Sequence, residues 1–257
     1  MGRITALVYG GIAYVIFLFA FLYAIGFVEN AVVPKTIDSG AAGGVVAALI
    51  VNALLLGLFA IQHSVMARPA FKRRWTRIVP QPVERSTYVL LSSLILLLIF
   101  WQWRPMLGVV WRSDAGVLRA LLYALSMVGW LIVLLSTFMI NHFDLFGLRQ
   151  VYTYARQTPD APLTFTTRWL YTFVRHPIML GFIIAFWAAP TMTAGHLLFA
   201  IMTTGYILVA LQFEEHDLRS AFGQTYAAYQ QDVRMLVPLP KGAHHGDGEP
   251  SAKPTMG

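Results

Sequence analysis

Hydrophobic residues come in long blocks along this chain. Five stretches, 4–28, 41–62, 86–103, 120–140 and 178–213, contain no Asp, Glu, Lys or Arg and together make up nearly half of the 257 residues. A helix rises ~1.5 Å per residue and a bilayer core is ~30 Å thick, so about 20 apolar residues make one crossing. The first four blocks meet that length, and Glu29 and Asn30 close the first. The fifth is interrupted between Pro190 and Gly195. Its first arm, 178–189, reaches only ~18 Å as a helix, short for a span, and its second arm is long enough. The pattern predicts an all-α, polytopic helical membrane protein. It has four spans, a C-terminal helical hairpin that brings the membrane helices to five or six, and a further helix over 214–235 on the cytoplasmic side. Ser86 is placed to N-cap the third span. Gly40, Gly43 and Gly44 at the entry to the second would admit close helix contact.

Composition agrees with the pattern. The chain is 57% hydrophobic and 12% charged, against about 25% charged in soluble domains. A soluble globule, a coiled coil, a nucleotide-binding α/β fold and a disordered chain are excluded. Without cysteine there can be no disulfide, thiolate metal site or cysteine nucleophile. The net charge of +7 does not point to nucleic acid, because it sits beside the spans. Segment 67–85 carries Arg68, Lys72, Arg73, Arg74, Arg77 and Arg85 against Glu84 alone. That excess places the loop in the cytoplasm. Counting spans backward and forward then puts both termini there. Lipid is the expected surrounding, and no obligate protein partner is evident. Residues 1–238 read as a single domain. The segment 239–257 is polar and rich in Gly and Pro, the composition of a disordered tail.

Ionisable residues collect at three places on one side of the membrane: Gln62–His63 beside the basic loop, the block Asn141–Gln150, and the flanks of the hairpin, Arg175-His176-Pro177 and Glu214 to Arg219. Charged groups at a membrane mark functional sites by default. The positive-inside rule accounts for single arginines, but not for His63, His142, His176, Asp144 and Glu214. His142 and Asp144, two residues apart, cannot share a helix face and read as a loop lining something. Pro177 suits a first helical position, which sets Arg175 and His176 at the positive end of a helix, where a carboxylate binds well. Glu215 is spaced to pair with Arg219 along one helix, and Phe222, Tyr226 and Tyr229 could pack that helix on the membrane surface. Metal-binding spacings such as H-E-x-x-H are missing. A haem held between histidines His63, His142, His176 or His196 makes a membrane haem or quinone protein the reading of a different class.

The run Arg175-His176-Pro177-Ile178-Met179-Leu180-Gly181, the broken hairpin, then Glu214-Glu215-His216-Asp217-Leu218 with Phe222-Gly223, Tyr226, Tyr229 and Pro238 resembles the C-terminal signature of the isoprenylcysteine carboxyl methyltransferase superfamily. Upstream, Gln62 to Arg68, Glu84 to Tyr88 and Asn141 to Gln150 are similar to its bacterial methanethiol S-methyltransferase branch. The resemblance covers about residues 60–238. It implies an integral enzyme of a bacterial inner membrane that uses S-adenosylmethionine to methylate a small thiol, methanethiol, to dimethyl sulfide. An isoprenylcysteine-type carboxylate or another small thiol is the alternative acceptor. It further implies that His176, Pro177, Met179, Leu180, Gly181 and Glu214 or Glu215 surround the cofactor. The superfamily has a tyrosine where this chain has Met179, so any role of a phenol there is lost, and a polarizable thioether takes its place.

A thiol must lose its proton to become a nucleophile. His142 oriented by Asp144 is the first candidate base and His63 the second. Arg149 or Arg175 could hold the thiolate electrostatically. Transfer from a sulfonium to a thiolate annihilates two charges, which a dry pocket favours.

Overall fold

The computed structural model describes residues 1–41, 43–158 and 167–238; the expected disordered tail lies outside them. In chain order the elements are α1 (Arg3–Val28), α2 (Val45–Ala67), α3 (Pro69–Trp75), α4 (Gln81–Gln102), β1 (Val109–Arg112), α5 (Gly116–Ile140), α6 (His142–Leu145), α7 (Leu148–Arg156), α8 (Leu170–Phe173), α9 (Pro177–Trp187), β2 (Thr191–Thr193) and α10 (Ala194–Asp232). Helices α1, α2, α4, α5 and α10 are long and apolar enough to cross a membrane. Their outward residues, among them Ile4, Val15, Leu54, Leu121 and Val209, are exposed. Such a surface suits lipid tails. The chain is a polytopic helical membrane protein.

The interior is aromatic. Phe27, Phe100, Trp103, Trp130, Phe186 and Phe199 form the main buried cluster. One buried polar side chain is paired twice over. Asn52, fully buried in α2, bonds the peptide of Arg104 from both sides, donating to its carbonyl at 2.8 Å and accepting from its N–H at 2.9 Å. Its position within the span therefore serves to hold the chain just after α4 against α2.

The hairpin arm foreseen as short is short: α9 has 11 residues, ~16 Å at 1.5 Å per residue. The remaining depth is covered by an extended segment, Ala188–Thr193, most of it buried. Backbone of that kind is tolerated at membrane depth only where protein satisfies it. Ser126 Oγ lies 3.0 Å from the Ala185 carbonyl, His196 Nε2 donates to that of Phe186, Trp111 Nε1 to that of Ala189 and the Ser113 N–H to that of Pro190. The link after α4, which showed no pattern in the sequence, supplies two of these donors. It pairs as β1 antiparallel to β2, Val109 opposite Thr193 and Arg112 opposite Thr191.

Two local expectations are corrected. The third span starts at Gln81, and Ser86 lies inside α4, where its Oγ donates to the Gly147 carbonyl instead of capping a helix. Gly43 and Gly44 touch nothing. Close helix approach occurs instead between Gly129 of α5 and Gly181 of α9, where a Cβ on Gly181 would stand 2.6 Å from the Gly129 carbonyl oxygen.

Candidate active site

The starts of α1, α4 and α9 and the ends of α2 and α5 lie at one end of the bundle, with α3, α6, α7 and α8. There α10 runs on without a charge until Glu214. It turns at Gly223, whose φ of +54° and ψ of −128° lie in a region that glycine alone enters readily. The turn folds the last part of α10 back along its own stem. Tyr226 Oη thereby reaches Glu215 at 2.9 Å, and Gln230 reaches the same carboxylate. In a straight helix Tyr226 would be ~16 Å further on.

Glu215 is the hub. Arg175 donates to it from Nε at 2.8 Å and Nη2 at 3.0 Å, and His176 Nε2 lies 2.6 Å from Oε1. Burial alone would raise this carboxyl; the hydrogen bonds from Arg175, His176, Gln230 and Tyr226 outweigh it and hold the group at about 2. The expected Glu215–Arg219 pair does not form; Arg219 bonds Gln230 instead. Arg175 also donates from Nη1 to the carbonyls of Gln230 and Val233. Four hydrogen bonds thus tie its guanidinium into the fold, and Arg175 acts as a clamp on Glu215. The clamp extends along the backbone: Arg175 and His176 N–H groups bond the carbonyls of Arg234 and Met235.

Glu214 differs from Glu215. Its side chain is 44% exposed and lies 3.6 Å from His176 Nδ1. It is within electrostatic reach of Tyr88, Tyr171, Tyr206 and Tyr226. Pro177 opens α9 as expected, leaving the first-turn N–H groups of Ile178 and Met179 at the same spot. Met179 and Leu180 are half-buried, while Gly181 faces α5.

His63 stands beside this cluster. Its Nδ1 is 3.3 Å from Ser92 Oγ, which itself donates to Gln62 Oε1. Ser92 has thus used its proton and accepts from Nδ1–H; Tyr88 Oη lies 2.9 Å from Nε2 and 3.1 Å from Nδ1, and in this tautomer donates to Nε2. Phe59 stacks on the ring, and the Arg85 guanidinium lies 5.1 Å over Tyr88.

His142 repeats the arrangement. Thr137 Oγ1 donates to the Leu134 carbonyl, so at 2.8 Å from His142 Nδ1 it accepts, and Nε2 accepts from Tyr14 Oη at 2.8 Å. Burial lowers the proton affinity of His142. Asp144 does not orient this ring, because both nitrogens are taken. Instead it pairs with Arg149 at 3.3 Å and accepts from Gln150. A groove of about 450 Å³ opens there, walled by Leu7, Asn141, Phe143, Leu148, Arg149 and Tyr152 with Val151. Neither the Arg175–Gly181 turn nor Glu214 is among its walls. The candidate residues therefore form two groups, bridged by Arg85, which bonds the Leu145 carbonyl on one side and covers Tyr88 on the other.

Tyr88, Tyr206, Tyr14 and Thr137 were not singled out from the sequence. A tyrosine near the end of an apolar span looks like an interfacial anchor, and only the fold shows which histidine it meets. The fourth histidine considered, His196, bonds the Phe186 carbonyl. Among the described residues no group of three or more His, Asp or Glu could hold a metal ion.

The spans and the convergence of polar side chains at one end define an integral membrane protein with an interfacial site. The family model described as NnrU protein matches residues 51–236, and the chain belongs to that family. It is 59% identical over 242 residues to the methanethiol S-methyltransferase of Mycobacterium tuberculosis, 93% of this chain and 98% of that protein. It is 55% identical over 252 residues to methanethiol S-methyltransferase 2 of Bradyrhizobium diazoefficiens, 98% of this chain and 97% of that one. Nurim of Mus musculus is 30% identical over 184 residues, 68% of this chain and 70% of Nurim. No solved structure matches.

Proposed function

We propose that this chain is an S-adenosylmethionine-dependent methyltransferase that methylates methanethiol to dimethyl sulfide. It would sit in a bacterial inner membrane with both termini and the Glu215 cluster on the cytoplasmic side. The observation that carries the reading is the 59% identity over 98% of a relative named for that activity. The excess of arginine and lysine in 67–85 supports the orientation.

The residues fit such a cofactor. Glu214, exposed and unspent on Arg175, suits an ammonium group. The first turn of α9 suits a carboxylate, with bare N–H groups and the helix dipole behind them. When bound, the cofactor supplies an electrophilic methyl group on a sulfonium. The chain's part is to hold it, exclude water, and take a proton from the thiol.

His63 is favoured over His142 for that proton, because Tyr88 on its Nε2 is in electrostatic reach of Glu214. The thiol proton passes to Tyr88 Oη as Tyr88 gives its own to His63 Nε2. Ser92 and Gln62 hold the imidazole in the accepting tautomer. Arg85, over Tyr88, is the cation placed to stabilise the anion. The balance is one thiol proton left on His63, one sulfur–carbon bond made and one broken.

The test is calorimetric binding of S-adenosylhomocysteine to the purified protein, followed by headspace detection of dimethyl sulfide on adding cofactor and methanethiol. Binding without dimethyl sulfide would move the assignment to another acceptor. Absence of binding would remove it altogether.

A further inference from the structure

At the opposite end of the bundle from Glu215, a cavity of about 30 Å³ is walled by Glu29, Tyr123, Ala185, Pro190 and His196 among others. Nothing in the methyl-transfer reading uses it. Two groups face it with unfinished hydrogen bonding, one buried and one half-buried.

The first is His196, 2% exposed. Its Nε2–H donates to the Phe186 carbonyl at 2.9 Å. That fixes the tautomer and leaves Nδ1 a bare acceptor, which has no partner among the described residues. A buried acceptor without a donor is costly, and a polar cavity of this size holds a water molecule.

The second is Glu29, at the end of α1. Its Oε1 accepts from Trp130 Nε1 at 2.9 Å and lies 2.5 Å from Ser126 Oγ. Ser126 Oγ is also 3.0 Å from the Ala185 carbonyl, one of the carbonyls left open where α9 stops. A hydroxyl has one proton. Were Glu29 ionised, Ser126 would face two acceptors and could serve one. With a neutral carboxyl every group is served: Glu29 donates to Ser126, and Ser126 donates to Ala185. The surroundings favour the neutral form. Ser126, Trp130 and Tyr123 face Glu29 from α5, Ala185 from α9 and His196 from α10. No lysine or arginine lines the cavity, and among the described residues no ion pair includes Glu29. Asp38 is negative and in electrostatic reach of His196.

We propose that this cavity is a water site built between a neutral Glu29 carboxylic acid and the bare Nδ1 of His196, and that it seals the seam where α9 ends halfway through the bundle. The ligand is a water-sized hydrogen-bond donor. Donation to Nδ1 satisfies the imidazole, and the carboxyl group takes the water's other bonds.

The test uses the full chain in detergent. Infrared spectra at neutral pH should show a carboxylic-acid carbonyl stretch that disappears in Glu29→Gln. The melting temperature of Glu29→Gln should match the parent, because the amide keeps the shape and one donor, while that of Glu29→Ala falls. Identical infrared spectra for parent and Glu29→Gln, or a Gln variant as unstable as Ala, overturn the neutral acid. For the water, ¹⁵N resonances of His196 should show Nδ1 as a hydrogen-bonded acceptor. The shift of an unbonded imidazole nitrogen overturns the water site. Neither outcome depends on methyltransferase activity, so failure here is distinguishable from failure of that reading.

Discussion

Gly129 and Gly181 meet backbone to backbone across the contact of α5 with α9. A Cβ on Gly129 would stand 2.6 Å from the Ala185 nitrogen, and one on Gly181 2.6 Å from the Gly129 carbonyl oxygen. Neither neighbour is a flexible side chain that can turn away. Gly129→Ala and Gly181→Ala should each destabilise the protein by about 1–3 kcal/mol, the usual cost of overpacking, seen as a lower melting temperature. Gly57→Ala, where nothing lies within 4 Å, is the control. Equal stability in all three variants would return Gly181 to the cofactor role that the family motif implies.

Glu215→Gln should be among the most damaging single changes at the site. The Arg175 and Glu215 side chains are 10% and 11% exposed, and the substitution strands the arginine and the histidine together. Removing one partner of a buried pair costs about 3–5 kcal/mol. Denaturant unfolding measures it. Arg219→Ala should be silent, since the bond of Arg219 to Gln230 Oε1 lies exposed at the surface. A destabilised Arg219→Ala would mean that the helical pair matters after all.

Two groups outside the spans contribute to the acid limb of stability. Glu215 titrates at about 2 in the fold against an ordinary 4.5. Its contribution is complete above 4.5 and is lost as pH falls toward 2, because the unfolded chain takes up the proton first. His142 is lowered by burial from 6.5. It stays neutral in the fold while the unfolded chain gains a proton, so stability declines as pH drops below 6.5. Melting temperature against pH should therefore show two separable slopes. His142→Gln should flatten the upper one and Glu215→Gln the lower.

The two tyrosine–histidine pairs should behave differently in turnover. Tyr88→Phe should slow dimethyl sulfide formation by roughly 10²–10⁴-fold, the range for losing a proton-transfer group. It should also change the pH–rate profile and leave S-adenosylhomocysteine affinity unchanged. Tyr14→Phe should leave the rate near that of the parent. If the two results are exchanged, the thiol site belongs at the 450 Å³ groove beside Arg149 and His142 is the base.

The spans were legible because a bilayer demands length and apolarity, and those are properties of a one-dimensional string. The short arm was legible for the same reason: 178–189 is too brief however it folds. The partners of Glu215 were not. Spacing along a helix proposed Arg219, four residues away. The turn at Gly223 and the backbone bridge of Val174 to Arg234 just before α9 brought Arg175 and His176 instead, from 40 and 39 residues upstream. Asp144 was similarly drawn to its sequence neighbour His142, although a better-placed arginine lay one turn on. Proximity in sequence predicts contacts within an element; the site is made between elements.

From Ala194 to Phe222 α10 is one unbroken shaft. It enters lipid at one end and carries Glu214 and Glu215 at the other. Each turn slid across the bilayer edge moves those carboxylates by ~5.4 Å relative to the headgroups. Membrane thickness is thereby geared to the height of the hub, and reconstitution into thin and thick bilayers becomes a mechanical adjustment of the enzyme, with no change in its sequence.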